Sequence, residues 1–349
     1  MKIPKGINRL RRRVMYQLTK NIGNSQLDYN LKEGEKPEIK HILISRPNHR
    51  LGNQLLLTPL VQEVIDTFPD CKIDLFVKGG VAYPVFQNYT QVNKIIQLPK
   101  KPFNELSAYL KVWIDLKKGK YDLVINGDKN SSSGRLSTQL ANAKFKMFGE
   151  IDETIQNEYD DYEHISKYPI YNLRHYLTKI GFSNSNKPIP TLNIKLSNEE
   201  LQNGKSVLKE IVKNDKPSIC IYTNATGDKV YDEIWWTALY NRLLKKYPDY
   251  NVIELLPIEN TSKINFAAPN LYSKDIREMC ALMANTAIFI AADNGVMHLA
   301  SAAQIPVVGF FKVTKLNVYR PYGNGSLAFD TNNTNLNDWL KGISDILGS

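Results

Sequence analysis

Cysteine is scarce in this 349-residue chain: Cys71, Cys220 and Cys280 lie far apart, with no close pair to bind a metal and no even count for a disulfide framework. That excludes a disulfide-stapled secreted scaffold and fits a reducing cytoplasm. No apolar run nears the ~20 residues that span a bilayer. The start, MKIPKGINRLRRRVMYQLTK, is basic but lacks the apolar core of a secretory signal. No D-x-D triplet occurs, and Asp160-Asp161 reads as a solvated loop, so no metal is expected. No G-x-G-x-x-G follows the first strand, which disfavours a nicotinamide-dependent oxidoreductase. Acidic residues are missing from residues 1–27, which hold seven of the charges behind a net +10. Two readings of that segment stand side by side: a solvated terminus, or a basic helix on an anionic membrane with Ile7, Leu10, Val14 and Leu18 on one side. No nucleic-acid-binding motif accompanies it.

What the chain does have is globular composition, 42% hydrophobic and 23% charged, and length for two ordinary domains. Beyond residue 38, apolar runs of strand length alternate with helical patterns. In the first half IKHILIS (39–45), KIDLFV (72–77), KIIQL (94–98), YDLVIN (121–126) and FKMFG (145–149) read as strands. Residues 54–68 and 104–119 read as helices. An acidic, tyrosine-rich stretch at 150–170 breaks the rhythm, and prolines among serines and asparagines mark a linker. A second series follows, from a helix opened by Ser197 to a last helix ending near residue 347.

Such alternation predicts an α/β fold with parallel sheets covered by helices on both faces. The expected division is a basic extension (1–38), a Rossmann-like domain (39–182), a linker (183–196), a second Rossmann-like domain (197–330) and a C-terminal helix (331–349). Ligands of such sheets sit at the carboxyl ends of strands, and with two domains the interdomain cleft is the expected site.

Three strand-to-helix junctions could carry chemistry. In IFIAADNGVMHLASAAQIPVVGFF (288–311), a strand ends at Asp293-Asn294-Gly295 and a helix begins. Helix N termini present unpaired N–H groups and partial positive charge to anions. Gly295 permits close approach of a phosphate, and His298 lies one turn inside. In YTNATGDKVYDEIWW (222–236), Thr226 offers a hydroxyl and Lys229 a compact cation. In SRPNHRLGNQLLLTPLVQEVI (45–65), Asn53 is expected either to cap the helix or to touch substrate, and the residue type favours the cap. NGDKNSSSGRLSTQL (126–140) reads as a serine-rich loop whose Ser133 and Arg135 suit a hydroxylated or phosphorylated ligand.

RLGNQLLLTPLVQEVIDTFPDCKIDLFV, DNGVMHLASAAQIPVVGFF and YRPYG (319–323) together resemble the lipopolysaccharide heptosyltransferases of glycosyltransferase family 9, over roughly residues 40–325. The resemblance implies the GT-B architecture, two facing Rossmann-like domains, with 39–182 binding the acceptor and 197–330 the nucleotide sugar. It implies metal-independent transfer of a sugar, heptose by family default, from a nucleotide-diphosphate donor such as ADP-heptose to a lipid-linked saccharide, at the cytoplasmic face of the membrane. Carried over by motif, Thr226, Lys229, Asp293, Asn294, Gly295 and His298 would hold the donor diphosphate. Glu259 and Tyr272 would lie near its ribose and base. Gly52, Ser133 and Arg135 are the expected acceptor contacts.

The family pattern at the front is usually LGD, whose aspartate is the general base; this chain has Leu51-Gly52-Asn53. An amide has no useful basicity near neutral pH. His49 is then the nearest titratable substitute, or Asn53 orients the acceptor in a loose transition state. A non-catalytic nucleotide-sugar-binding protein is the competing reading. Donor base, sugar and acceptor linkage are not written in the sequence.

Overall fold

The structure is a computed structural model that describes Arg13, Gln17, Thr19 and residues 21–25, 36–100 and 105–348. The basic segment 1–27 falls mostly outside the described residues. The chain divides into two compact units. One takes the chain up to His49, Pro59–Tyr83 and Tyr89–Pro190; the other takes Arg50–Thr58, Pro84–Asn88 and the chain from Thr191 on.

The first half of the chain runs β1 (His41–Ser45), α1 (Leu51–Leu55), α2 (Thr58–Thr67), β2 (Lys72–Lys78), α3 (Ala82–Phe86), β3 (Val92–Leu98), α4 (Leu106–Lys118), β4 (Lys120–Asn126), α5 (Ser132–Leu140), β5 (Asn142–Met147), α6 (Glu153–Glu158) and α7 (Tyr168–Lys179). The helix expected over 54–68 is two helices. Pro59 has no N–H to offer Leu55, so the ladder stops and the Thr58 hydroxyl donates to the Leu55 carbonyl at 2.7 Å. The strands form one parallel sheet in the order β3-β2-β1-β4-β5. Leu43, Phe76, Ile96, Val124 and Leu116 make a core between this sheet and α4. Arg174 of α7 clasps Glu63 of α2 through two 2.7 Å bonds, both side chains buried. A charge pair so far from water is stable only because each polar atom finds a partner.

Two expectations here are corrected. The acidic stretch at 150–170 contains α6, capped by Asp152, whose carboxylate accepts from Thr154 and Ile155 N–H. The serine-rich stretch at 126–140 is largely the helix α5, capped by the Ser131 hydroxyl.

The second half runs α8 (Asn198–Val212), β6 (Ser218–Tyr222), α9 (Glu233–Lys246), β7 (Asn251–Leu256), β8 (Asn270–Tyr272), α10 (Ile276–Met283), β9 (Ile288–Ala292), α11 (Gly295–Ala302), β10 (Val307–Phe311), α12 (Leu316–Tyr319), β11 (Leu327–Asp330) and α13 (Leu336–Leu347). The second sheet is also parallel, in the order β11-β10-β9-β6-β7-β8. Its central strands β6, β9 and β10 are buried throughout, as their near-continuous apolar runs require, while the edge strands β8 and β11 are only partly buried. Trp236 is fully buried against Ile219, Ile290 and Phe310, and Trp339, Leu340 and Ile343 of α13 complete that cluster. The strand order turns back between β6 and β9, which opens a crevice at their carboxyl ends.

One ion pair ties the edge of this unit together. Ser197 and Glu200 cap α8 reciprocally. The same Glu200 carboxylate accepts from Arg277 Nε and, at 2.8 Å, Nη2. Arg277, 5% exposed, also donates to the carbonyls of Pro84, Ile194 and Lys195. The Arg277 hydrogen bond is the chief reason the Glu200 carboxyl is pulled down to about 2. A depressed carboxylate stabilises the fold above the unfolded-state value near 4.5 and stops doing so as pH falls toward 2. Glu200→Gln is therefore expected to lower Tm at pH 7 by several degrees, on the order expected for a lost buried pair. Thermal unfolding at pH 3 should show a clearly smaller gap between the two proteins.

Candidate active site

The site is built where β6 and β9 end. β9 delivers Asp293, and Asn294 caps α11: its Oδ1 accepts from Val296 and Met297 N–H, each at 2.8 Å, while its Nδ2 donates to the Asn224 carbonyl at 3.0 Å. Asparagine thus serves as cap and as a strap to the neighbouring strand end. β6 leads through Thr226 into a tight turn, Gly227–Lys229, whose first residue has φ +64°, a left-handed conformation that favours glycine. The turn brings Lys229 Nζ to 2.5 Å from Asp293 Oδ2. Asp293 is 4% exposed, so its charge depends on that ammonium rather than on water.

Behind these loops lies a buried support. Glu254 of β7 is wholly buried and accepts from the hydroxyls of Thr223 (2.6 Å) and Ser262 (2.7 Å). Burial pushes its carboxyl up, and the two hydroxyls oppose that shift. Thr223 in turn accepts from Lys263 N–H, so the loop after β7 is tied to the end of β6.

The third component is α1. Its N-cap position is Arg50, which makes no side-chain cap bond, and Asn53 is the third helical residue, its N–H donating to the Arg50 carbonyl at 3.1 Å. Asn53 therefore does not cap the helix; the turn starts three residues earlier than the residue type suggested. Gly52 lies against α11: a Cβ placed on it would meet His298 Cδ2 at 3.0 Å and the Gly295 Cα at 3.3 Å. The reciprocal Cβ on Gly295 would meet the Gly52 nitrogen at 3.3 Å. Two glycines let the first turns of α1 and α11 touch.

These pieces surround a cavity of about 750 Å³, within the range of small-molecule sites. Of the expected residues it gathers Gly52, Asn53, Thr226, Lys229, Asp293, Asn294, Gly295 and His298. All belong to the second unit, α1 included. Its lining carries three cations, Arg50, Lys229 and Lys315, against one carboxylate, Asp293. That balance suits an anion.

Other expected residues are not among its lining. His49 is exposed and precedes Arg50. Glu259 is exposed on the loop after β7, and Tyr272 donates to the Ile258 carbonyl at 3.3 Å. Arg135 is 6% exposed, and its guanidinium donates to the Thr19 carbonyl and hydroxyl and to the Lys129 carbonyl. Those bonds hold the backbone, so Arg135 is a structural residue. Ser133 is half-buried inside α5. Conversely, the cavity recruits Arg50, Lys315 and Tyr319, none of which was among the expected site residues, although Tyr319 heads the YRPYG motif. The signal common to the last two was their position just past the carboxyl end of β10. Among the described residues no group of three or more His, Cys, Asp or Glu side chains comes together.

No curated protein matches the sequence. Solved structures do match the fold. The glycosyl transferase family 9 protein of Veillonella parvula DSM 2008 gives a TM-score of 0.67 at 15% identity, over 90% of this chain and 91% of that one. E. coli heptosyltransferase WaaC with ADP gives 0.64 at 15% identity, over 88% and 99%. E. coli ADP-heptose lps heptosyltransferase II gives 0.62 at 13% identity, over 88% and 98%. At such identities the likeness shows the fold, an α/β architecture with two parallel sheets. Residues 109–340, about two thirds of the chain, match glycosyltransferase family 9 (heptosyltransferase), so the chain belongs to that family and is a glycosyltransferase.

Proposed function

We propose that the cavity binds a nucleotide-sugar donor through its diphosphate and that the sugar, heptose carried on ADP by the family's habit, passes to a lipopolysaccharide-type or other cell-surface glycan. The enzyme would work in the cytoplasm at the inner membrane surface, on a lipid-linked acceptor. The observation that supports this most is the sharing of one cavity by Lys229, the N terminus of α11 and the Gly52-Asn53 turn.

In the reaction an acceptor hydroxyl oxygen bonds to the anomeric carbon, and the bond from that carbon to the phosphate oxygen breaks. The electron pair leaves with the nucleoside diphosphate. Charge grows on the leaving oxygens, and groups fixed in advance around that position lower the barrier. Lys229, the N–H groups of α11, the Thr226 hydroxyl and His298 supply them, so this reading needs no bound metal. Asp293 holds Lys229 at the mouth of α11 before the donor arrives. Glu259 and Tyr272 remain proposed contacts for the ribose and base, reached if the donor extends along the ends of β7 and β8.

Asn53 is not a base, so in this reading the acceptor hydroxyl, acidified as its oxygen bonds to the anomeric carbon, gives its proton to water. The reading assigns Asn53 to orienting the hydroxyl while the glycosidic bond loosens ahead of attack. His49, exposed and not a lining residue, is then dispensable.

Lys229→Ala should weaken ADP and ADP-sugar binding by about tenfold to a hundredfold, the worth of a charge-assisted bond. A thermal-shift panel of nucleotides and nucleotide sugars measures it, because a native-state ligand raises the midpoint in proportion to its affinity. Unchanged shifts in Lys229→Ala would remove the donor site from this cavity. For turnover, Asn53→Ala should fall by more than about tenfold with donor shifts intact, while His49→Ala should stay within about threefold of wild type. A collapse of the His49 variant would reinstate it as the base.

A further inference from the structure

We propose that the outward face of α4 is a docking surface for an anionic lipid bilayer. The helix packs on the first sheet through Tyr109, Val112, Trp113 and Leu116, against Phe76, Ile96 and Leu98. A surface helix with its apolar stripe so buried is expected to be polar elsewhere. Here it is not. Leu106, Leu110 and Ile114, spaced i, i+4 and i+8 and hence aligned on one side, are 56%, 53% and 53% exposed.

Cations surround that strip. Lys117 extends it by one turn, and Lys111 and Lys118, both exposed, border it on the side away from the sheet. Lys94 is exposed on the edge strand β3, and by strand alternation it shares the sheet face of Ile96 and Leu98, the face that α4 covers. Asp115 lies further round the helix. A narrow apolar strip fringed by lysines is what an interfacial helix offers, its leucines entering the headgroup boundary and its ammonium groups meeting lipid phosphates. Two copies of this face would instead oppose lysine to lysine across a twofold axis, which disfavours self-association. No helix among the described residues is long and apolar enough to cross a membrane, so the contact is peripheral.

This inference needs neither donor nor acceptor and stands apart from the transfer reading. The test uses the full chain in flotation with vesicles of phosphatidylcholine alone or mixed with phosphatidylglycerol. Wild type should bind the phosphatidylglycerol vesicles, more weakly as salt rises. Leu110→Gln with Ile114→Gln, and separately Lys111→Glu with Lys117→Glu and Lys118→Glu, should each weaken binding at least about tenfold. Their Tm values should match wild type, since these side chains are exposed. Binding that survives both sets of substitutions would overturn the proposal and point to residues 1–27. So would a lack of wild-type binding, or a dimer in solution that the Leu110/Ile114 variant dissociates.

Discussion

Contact between the first turns of α1 and α11 is the constraint on which the site depends. Helix N termini carry partial positive charge, so bringing two together is unfavourable unless a negative group shares the space. Gly52 and Gly295 make the approach sterically possible, and with a Cβ on Gly52 the His298 ring would have to give way. Asp293 supplies negative charge on one side of the junction, and Lys229 promptly returns a positive one. The cavity is left with surplus positive potential, held by Arg50, Lys229, Lys315 and the positive end of the α11 dipole. An arrangement that leaves the site short of negative charge suits an anion, which is what the proposed donor diphosphate would bring to it.

Holding such groups still is a separate problem, solved with buried polarity away from the cavity. Glu254 accepts two hydroxyl bonds beneath the β6 and β7 loops. Arg277 reaches three carbonyls on two chain segments and pairs with Glu200. Neither pair is a large net source of stability, because desolvation offsets most of the attraction. Their effect is geometric: Glu254 fixes the loops that follow β6 and β7, and Arg277 ties α8 and two chain segments to α10.

The central strands were readable because both sheets are parallel and their middles are buried on two faces, so β1, β4, β6, β9 and β10 are nearly unbroken apolar runs, whereas the short edge strands β8 and β11 are only partly buried and carry no such run. Ser197 with Glu200 and Asn294 with the helix behind it were readable because caps have local rules. What was hidden lies in tertiary context. The helix α5 is written in serines, threonine and glycine, poor helix formers. It forms because it buries polar groups with specific partners: Ser137 bonds Ser45 at 2.6 Å, and Arg135 bonds Thr19 and Lys129. Pro59 was visible, yet its effect was masked by an apolar period that runs through it. Lys315 enters the cavity through the path of the chain after β10, which no residue pattern announces, and Tyr319 heads the YRPYG motif, whose residues were quoted without a role.

The amide at position 53 gains sense from the same electrostatics. A carboxylate there would sit in the first turn of α1, in a cavity that also holds Arg50, Lys229 and Lys315. Each of those favours its ionised form and so weakens it as a base. The catalytic advantage lost by carrying asparagine is smaller in this setting than in a neutral one. What an amide retains is two-sided hydrogen bonding: in the proposed reaction its oxygen would accept from an acceptor hydroxyl while its nitrogen would donate to an oxygen of the departing diphosphate. In a transition state where bond breaking leads, positioning of that kind outweighs proton abstraction, since the hydroxyl becomes acidic only after the new bond has begun to form.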